Sequence, residues 1–344
     1  MEEAGPGSFM APVSAWSGSC AVNLGDGEGF LKLRWSRPDD MVSQGEKIVV
    51  NPDRPVALFL HGAGQSSFSW STTFSALKNF DMAKNGAKVS LISLDFRGHG
   101  DSSCSEEEES MTRERLVSDV LQVLHSIQPG GDGDSPVPFY LIGHSLGGAI
   151  ACWVAHEVLE NKMRLPSWKL RGIFIMDMVE GVALASLEGT RAFLDRRPPG
   201  FATHNDAVKW LLESNLVHHS ESARSSVKGQ LREATASELA VNPELVYVWR
   251  ASISKWFNQW KGWFEGMSST FVGLPITNKV VLLAGVDNLD TTMMIGQMQG
   301  KFKLYIDHQV QVGHFVHEDS PGATASRLHE FFSRSDKLPF TGRP

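Results

Sequence analysis

The sequence is poor in cysteine, in positive charge and in long apolar runs, and each shortage closes off a class of protein. Its three cysteines, Cys20, Cys104 and Cys152, form no even framework and no C-x-x-C pair. That excludes a disulfide scaffold or a C-x-x-C metal or redox site, and a reducing compartment is expected. Lysine and arginine number 32 against 39 aspartates and glutamates, for a net charge of −7. With no basic stripe to neutralise phosphates, nucleic acid is not an expected partner. No stretch approaches the ~18 apolar residues of a spanning helix, so no membrane partner is expected. Met1 to Cys20 has neither a basic n-region nor an apolar h-region, which argues against a secretory leader and for a soluble, intracellular protein. Internal repeats are lacking too.

What is present is an ordinary globular composition, 42% hydrophobic and 21% charged over 344 residues, long enough to bury a large core. Residues 1–15, rich in Gly, Pro and Ser, read as a loose tail, and 336–344 as a second one, with a single domain over 16–335. Residues 40–53 read as a polar turn between two early strands. Apolar runs at 56–60, 89–94, 139–142, 172–176, 280–283 and 302–306 are too continuous for a sheet with one wet face. Helical patterns, among them 112–126 and 149–159, lie between most of them, and Cys152 falls in the second as a small core residue. The fold class is therefore α/β, a doubly wound, mostly parallel sheet. The alternation stops after Asp177. About a hundred residues, 178–275, then show helical patterning, far more than one crossover needs, which predicts an inserted helical cap. Within it Trp249, Trp256, Trp260 and Trp263 are spaced by 7, 4 and 3, which places all four on one helical face. That stripe reads first as core, with part of it, Trp263 included, roofing a site.

The chemistry is carried by Gly143-His144-Ser145-Leu146-Gly147, a G-x-S-x-G string set between an apolar strand and a helix. Such a turn is a nucleophile elbow, in which the glycines let strand and helix approach and the serine is left exposed. The Leu146 N–H lies at the helix start, where a developing oxyanion can be received. His61-Gly62-Ala63-Gly64 follows an early strand, the position at which α/β-hydrolases place their second oxyanion donor, here the Ala63 N–H. Asp95-Phe96-Arg97-Gly98-His99-Gly100-Asp101-Ser102 resembles the supporting loop of the same superfamily, with His99 structural. Glu106 to Glu109 reads as a solvated run. A serine nucleophile needs a histidine base oriented by a carboxylate, in the chain order Ser, acid, His. His314, after Gly313 and the last strand, is favoured as base over His317. Asp177 and Asp287 both end strands, and either could supply the acid. The order His314-x-x-His317-Glu318 does not give the H-E-x-x-H zinc pattern, and no metal or organic cofactor is expected.

Longer strings go further. Ile175-Met176-Asp177-Met178-Val179-Glu180-Gly181, Gly262-Trp263-Phe264-Glu265-Gly266, Leu282-Leu283-Ala284-Gly285-Val286-Asp287, Ile295-Gly296-Gln297-Met298-Gln299-Gly300-Lys301-Phe302 and His314-Phe315-Val316-His317-Glu318-Asp319 together resemble the protein phosphatase methylesterase family. The resemblance spans residues 50 to 335 and includes Ser222-Ala223-Arg224-Ser225 and Gly229-Gln230. It implies the α/β-hydrolase fold and a serine esterase that removes the methyl ester from the C-terminal leucine of the type-2A serine/threonine phosphatase catalytic subunit, in the cytoplasm and also the nucleus. It implies the triad Ser145, Asp177 and His314, and so Asp177 rather than Asp287. Arg224, the basic residue of a matching cap string, and Trp263 of the tryptophan stripe are the candidate substrate contacts. Ala63 and Gln65 stand where the family has a glycine and a histidine, and the acidic insertion of animal members, expected near 231–243, is missing. A small-molecule esterase or lipase of the same fold, and an inactive phosphatase-binding scaffold, are the alternatives.

Overall fold

A computed structural model of the chain describes residues 15–335, except 26, 45–46, 85–88, 106, 131–134, 161–164, 286–288 and 310. Both expected tails, apart from Ala15, lie outside the described residues, as do Glu106 and the alternative acid Asp287. The central sheet has eight principal strands, β1 (Gly18–Asn23), β2 (Gly29–Trp35), β3 (Val56–Leu60), β4 (Ser90–Asp95), β5 (Val137–His144), β6 (Trp168–Met176), β7 (Lys279–Leu283) and β8 (Lys303–Ile306). Their spatial order is β1-β2-β4-β3-β5-β6-β7-β8. The first two strands join antiparallel, and all pairs from β4 to β8 are parallel.

Twelve helices occur among the described residues: α1 (Ser71–Lys84), α2 (Arg113–Ser126), α3 (Leu146–Leu159), α4 (Glu180–Arg196), α5 (His204–Glu213), α6 (Ser220–Gln230), α7 (Ala236–Val241), α8 (Phe257–Phe264), α9 (Met267–Gly273), α10 (Thr291–Met298), α11 (Val316–Asp319) and α12 (Pro321–Ser335). None is long and apolar enough to cross a membrane.

The unbroken apolar strands are explained by burial on both faces. Successive side chains of a strand point to opposite sides of the sheet. Ala57, Phe59, Tyr140, Ile142, Phe174 and Met176 pack with Phe74 of α1 and Phe331 of α12. Their neighbours Leu58, Leu60, Leu141, Ile173 and Ile175 pack with Leu116 of α2 and Ile150 of α3 on the other side. Cys152 is fully buried in that second layer. At ~25 cal/mol per Å² of apolar area, such doubly covered strands form the main stabilising reservoir of the fold.

Three expectations are corrected. Residues 40–53 are not merely a polar turn, because Met41–Gln44 and Lys47–Val50 pair antiparallel and the second pairs in parallel with Ile127–Pro129. Buried Asp40 anchors this piece, accepting from the N–H groups of Arg37 and Leu91, and burial raises its pKa to about 6. The region 178–275 is not purely helical, since Gly200–Phe201, Leu231–Glu233 and Tyr247–Trp249 form a small antiparallel sheet. Strands of two or three residues carry too little period-2 pattern to be read against the helices around them. The four tryptophans also do not share one helix: Trp249 ends a strand, Trp256 ends a 3-10 turn, and only Trp260 and Trp263 lie in α8.

Candidate active site

Strand β5 runs directly into α3, and Ser145 is the single residue between them, with φ 51°. A non-glycine residue at positive φ carries strain, ~1–3 kcal/mol, so its surroundings must hold it there. They do so by contact. A Cβ on Gly143 would lie 2.1 Å from the carbonyl oxygen of Gly147, and one on Gly147 would lie 2.1 Å from that of Leu60. Only glycine fits either place, which is the physical content of the G-x-S-x-G spacing.

Sheet register supplies the second residue. His144 pairs with Met176 across β5 and β6, so the next residues along, Ser145 and Asp177, leave the sheet side by side. The Ser145 N–H donates to the Met176 carbonyl at 3.0 Å, and that of Asp177 to Leu282 at 2.7 Å. Asp177 also sits at positive φ, 44°. Its Oδ1 accepts from the Ala284 N–H at 2.9 Å and its Oδ2 from His314 Nδ1 at 2.7 Å. His314 Nε2 lies 3.0 Å from Ser145 Oγ. Donation from Nδ1 leaves Nε2 free to accept the serine proton. The Asp177 side chain is 10% exposed and that of His314 49%.

The turn after β3 is held by three hydrogen bonds. The Gly62 N–H donates to Gln65 Oε1 at 3.1 Å, that of Gly64 to His99 Nε2 at 2.9 Å, and that of Gln65 to the Gly62 carbonyl at 3.1 Å. Among the described residues the N–H groups of Ala63 and Leu146 have no acceptor. His99 is therefore a clamp for this loop. Burial lowers its pKa to about 3, so the ring stays neutral and its Nε2 accepts.

Behind these groups lies a buried polar layer that the sequence reading did not find. His144 places Nε2 2.8 Å from the His314 carbonyl oxygen and Nδ1 2.9 Å from Gln65 Oε1. Burial, followed by the neighbouring rings of His317 and His314, holds the His144 pKa well below its ordinary value. A neutral ring has one proton for these two oxygens. Gln65 Nε2 donates to Glu318 at 2.5 Å, and Ser226 of α6 donates to the same oxygen at 3.3 Å. Glu318 is fully buried, and burial, then the charge of Asp319, raises its pKa well above the carboxylate range. Asp319 accepts from the N–H groups of Gly313 at 2.8 Å and His218 at 2.6 Å, tying the loop of His314 to the connection before α6. His317 is fully buried against Trp70 and His144, and neither ring nitrogen is hydrogen-bonded to a described residue. No local motif announces such a layer, because its partners are far apart in the chain.

Ser145, Asp177, His314 and Ala63 all border one cavity of about 630 Å³, lined also by Trp260 and Trp263 from the 178–275 region. Trp263 is buried and its Nε1 donates to the Met111 carbonyl at 2.6 Å, so it serves both as core and as wall. Arg224 does not line this cavity and lies exposed on α6. The opposite face of α6 presses on the site: a Cβ on Gly229 would lie 1.9 Å from Ser66 Oγ. Among the described residues, no three His, Cys, Asp or Glu side chains are grouped to hold a metal ion.

Residues 57–327 match the family model described as alpha/beta hydrolase family. Protein phosphatase methylesterase 1 of Bos taurus is 33% identical over 314 residues, covering 81% of this chain and 77% of that one. Probable protein phosphatase methylesterase 1 of Caenorhabditis elegans is 36% identical over 280 residues, covering 81% and 69%. Among solved structures, E-2-(acetamidomethylene)succinate hydrolase superposes with a TM-score of 0.63 at 16% identity, covering 91% of this chain and 98% of that one. A Mycobacterium tuberculosis esterase gives 0.60 at 16% identity, covering 92% and 91%. At such identities the structural likeness speaks for the fold.

Proposed function

The chain belongs to the protein phosphatase methylesterase family of α/β-hydrolases, and from that premise we propose that it removes the methyl ester from the C-terminal leucine of the type-2A serine/threonine phosphatase catalytic subunit. The observation that carries this reading is the hydrogen-bonded line Ser145–His314–Asp177 beside two N–H groups that have no acceptor among the described residues. His314 takes the proton of Ser145 as its oxygen attacks the ester carbonyl. The N–H groups of Ala63 and Leu146 receive the oxyanion. Collapse expels methanol, which takes its proton from His314. Water activated by His314 then attacks the acyl-enzyme, releasing the leucine carboxylate and restoring Ser145. Asp177 holds the tautomer and stabilises the imidazolium. Residues 178–275 act as the cap of a single domain, and the cytoplasm, together with the nucleus, is the compartment that fits this substrate.

The test is incubation of the purified protein with methylated phosphatase, followed by mass spectrometry of its C-terminal peptide. Loss of one methyl group, abolished in Ser145→Ala, supports the reading. The apolar cavity also suits a generic esterase of this fold. Cleavage of small activated esters with an untouched phosphatase tail would select that alternative. Failure to cleave any ester would leave the inactive scaffold.

A further inference from the structure

Arg197, just beyond α4, is the only lysine or arginine among the described residues that border the cavity. The only carboxylate there, Asp177, is engaged by His314 and the Ala284 N–H. A guanidinium offers five N–H donors. Among the described residues the Arg197 side chain makes one long hydrogen bond, 3.4 Å to the Ala251 carbonyl, and it stacks on the Trp249 ring at 4.5 Å. The platform beneath it is fixed, because Trp249 Nε1 donates to the Pro198 carbonyl at 2.6 Å and its ring packs edge-on against Phe201 and Trp210. No described aspartate or glutamate forms an ion pair with Arg197. Burial, with no opposing charge, lowers its pKa to about 10, so it stays protonated at neutral pH.

A half-buried charge without a counter-ion costs stability. Structural arginines avoid that cost by pairing, as Arg97 does with both oxygens of Asp119. Arg197 instead keeps most of its fork free, on a rigid aromatic base, in a cavity that also contains the nucleophile. That is the arrangement of a preorganised anion receptor.

We propose that Arg197 is an anion-reading subsite of this cavity, and that the preferred substrate carries, on the acyl part of the ester and away from the scissile bond, a carboxylate that pairs with its guanidinium. This deepens the function proposed above and rests on Ser145 being the nucleophile of a C-terminal methyl ester. For a peptide substrate it means an acidic side chain upstream of the terminal leucine.

The experiment uses short peptides ending in leucine methyl ester, identical except for a single Glu, Gln or Lys moved stepwise back from the ester, with methanol release giving kcat/KM. In the wild-type protein, Glu at one position is expected to exceed Gln by about tenfold or more, the least that a charge-assisted hydrogen bond contributes. Arg197→Gln is expected to bring that ratio to about one, Arg197→Lys to retain part of it, and Arg197→Glu to favour Lys at the same position. Each ratio is taken within one variant, so partial unfolding cancels. Wild-type hydrolysis without preference for Glu at any position, or a preference that survives in Arg197→Gln, overturns the subsite and leaves the esterase reading standing. If the wild type cleaves none of these esters yet demethylates the phosphatase, the subsite reading falls alone. If it cleaves neither, both readings fall.

Discussion

His144 Nε2 lies 2.8 Å from the carbonyl oxygen of His314, so the residue before the proposed nucleophile carries the loop of the proposed base. Both residues belong to strings expected to hold catalytic groups, yet His144 acts through a backbone bond. With the ring's one proton on Nε2, His144→Phe removes the donor and leaves that carbonyl unpaired, while the oxyanion turn keeps its bond from Gly64 to His99. The expected outcome is a loss in kcat on the order of 10²-fold, as for a small misplacement of a reacting group, with KM little changed. His144→Gln restores a donor and is expected to recover part of the loss. Steady-state kinetics on one ester checks the split, since a merely structural role would lower the active fraction without following the presence of a donor.

Asp177→Asn is expected to lower kcat by about 10⁴, the scale on which a wrong histidine tautomer acts in a serine hydrolase. The direction follows from Oδ1. With the Ala284 N–H pointing at that atom, an asparagine turns its carbonyl there and its amide N–H₂ toward His314 Nδ1. The ring must then accept at Nδ1 and carry its proton toward Ser145. Asp287→Asn is expected to cost far less, and rates measured side by side decide between the two acids.

His317, the rival base in the sequence, separates cleanly from His314. It is sealed between Trp70 and His144 without a hydrogen bond from either nitrogen to a described residue. His317→Phe keeps the ring stack and removes an unsatisfied polar group, so turnover at neutral pH is expected to persist, with stability changed by less than about 2 kcal/mol. His314→Ala is expected to abolish turnover and labelling by a fluorophosphonate.

Stability should depend on pH in two opposing ways. His99 and His317 have folded pKa values of about 3 against ~6.5 unfolded. The unfolded chain binds more protons between those values, so their contribution is present above pH ~6.5 and is lost as pH falls toward 3. Glu318 runs the other way. Its folded pKa is raised, so the native state holds a proton that the unfolded chain gives up above ~4.3, and this term erodes as pH rises. Glu318→Gln copies the protonated form. Its Tm is expected to match the wild type near pH 4 and to gain on it steadily toward pH 8. A constant difference across that range would show Glu318 to be ionised in the fold.

Discrimination of a methyl ester on leucine has little to work with at the ester itself, so contacts remote from it must supply most of the selectivity. The folded, methylated phosphatase is therefore expected to be demethylated with a much higher kcat/KM than a free peptide of the same C-terminus. Arg224→Glu is expected to narrow that gap with small effect on activated esters, because Arg224 is exposed on α6 and stands off the cavity. Parallel kinetics on protein and peptide measure it.

Much of this was legible in the chain. Strand β3 was readable to the residue because five unbroken apolar side chains between Pro55 and His61 leave one solution. The elbow was readable because steric demand acts on neighbours: Gly143 and Gly147 must be glycine for reasons that lie within one turn. The acid was not fixed by the residues alone, since Asp177 and Asp287 each follow a strand and the pairing of β5 with β6 is a long-range fact. Gln65 and Glu318 were invisible as partners for the same reason, being separated by 253 residues. Arg197 carries no local signal at all. Its meaning comes from the carboxylates that its surroundings lack.

The placing of the proposed nucleophile and acid at the ends of two paired strands has a consequence for how such a protein can change. Their separation is set by the spacing between neighbouring backbones, ~4.8 Å in any sheet, and by the pairing of His144 with Met176. Side-chain evolution does not have to rediscover that length. It is inherited with the hydrogen bonds that hold the sheet together, and only the reach of His314 needs adjustment. Residues above the strand ends can therefore be exchanged, lengthened or recombined to admit new esters while the proton path keeps its dimensions. A register slip of one residue between β5 and β6 would do the reverse, keeping every atom of the roof and putting Ser145 and Asp177 out of step.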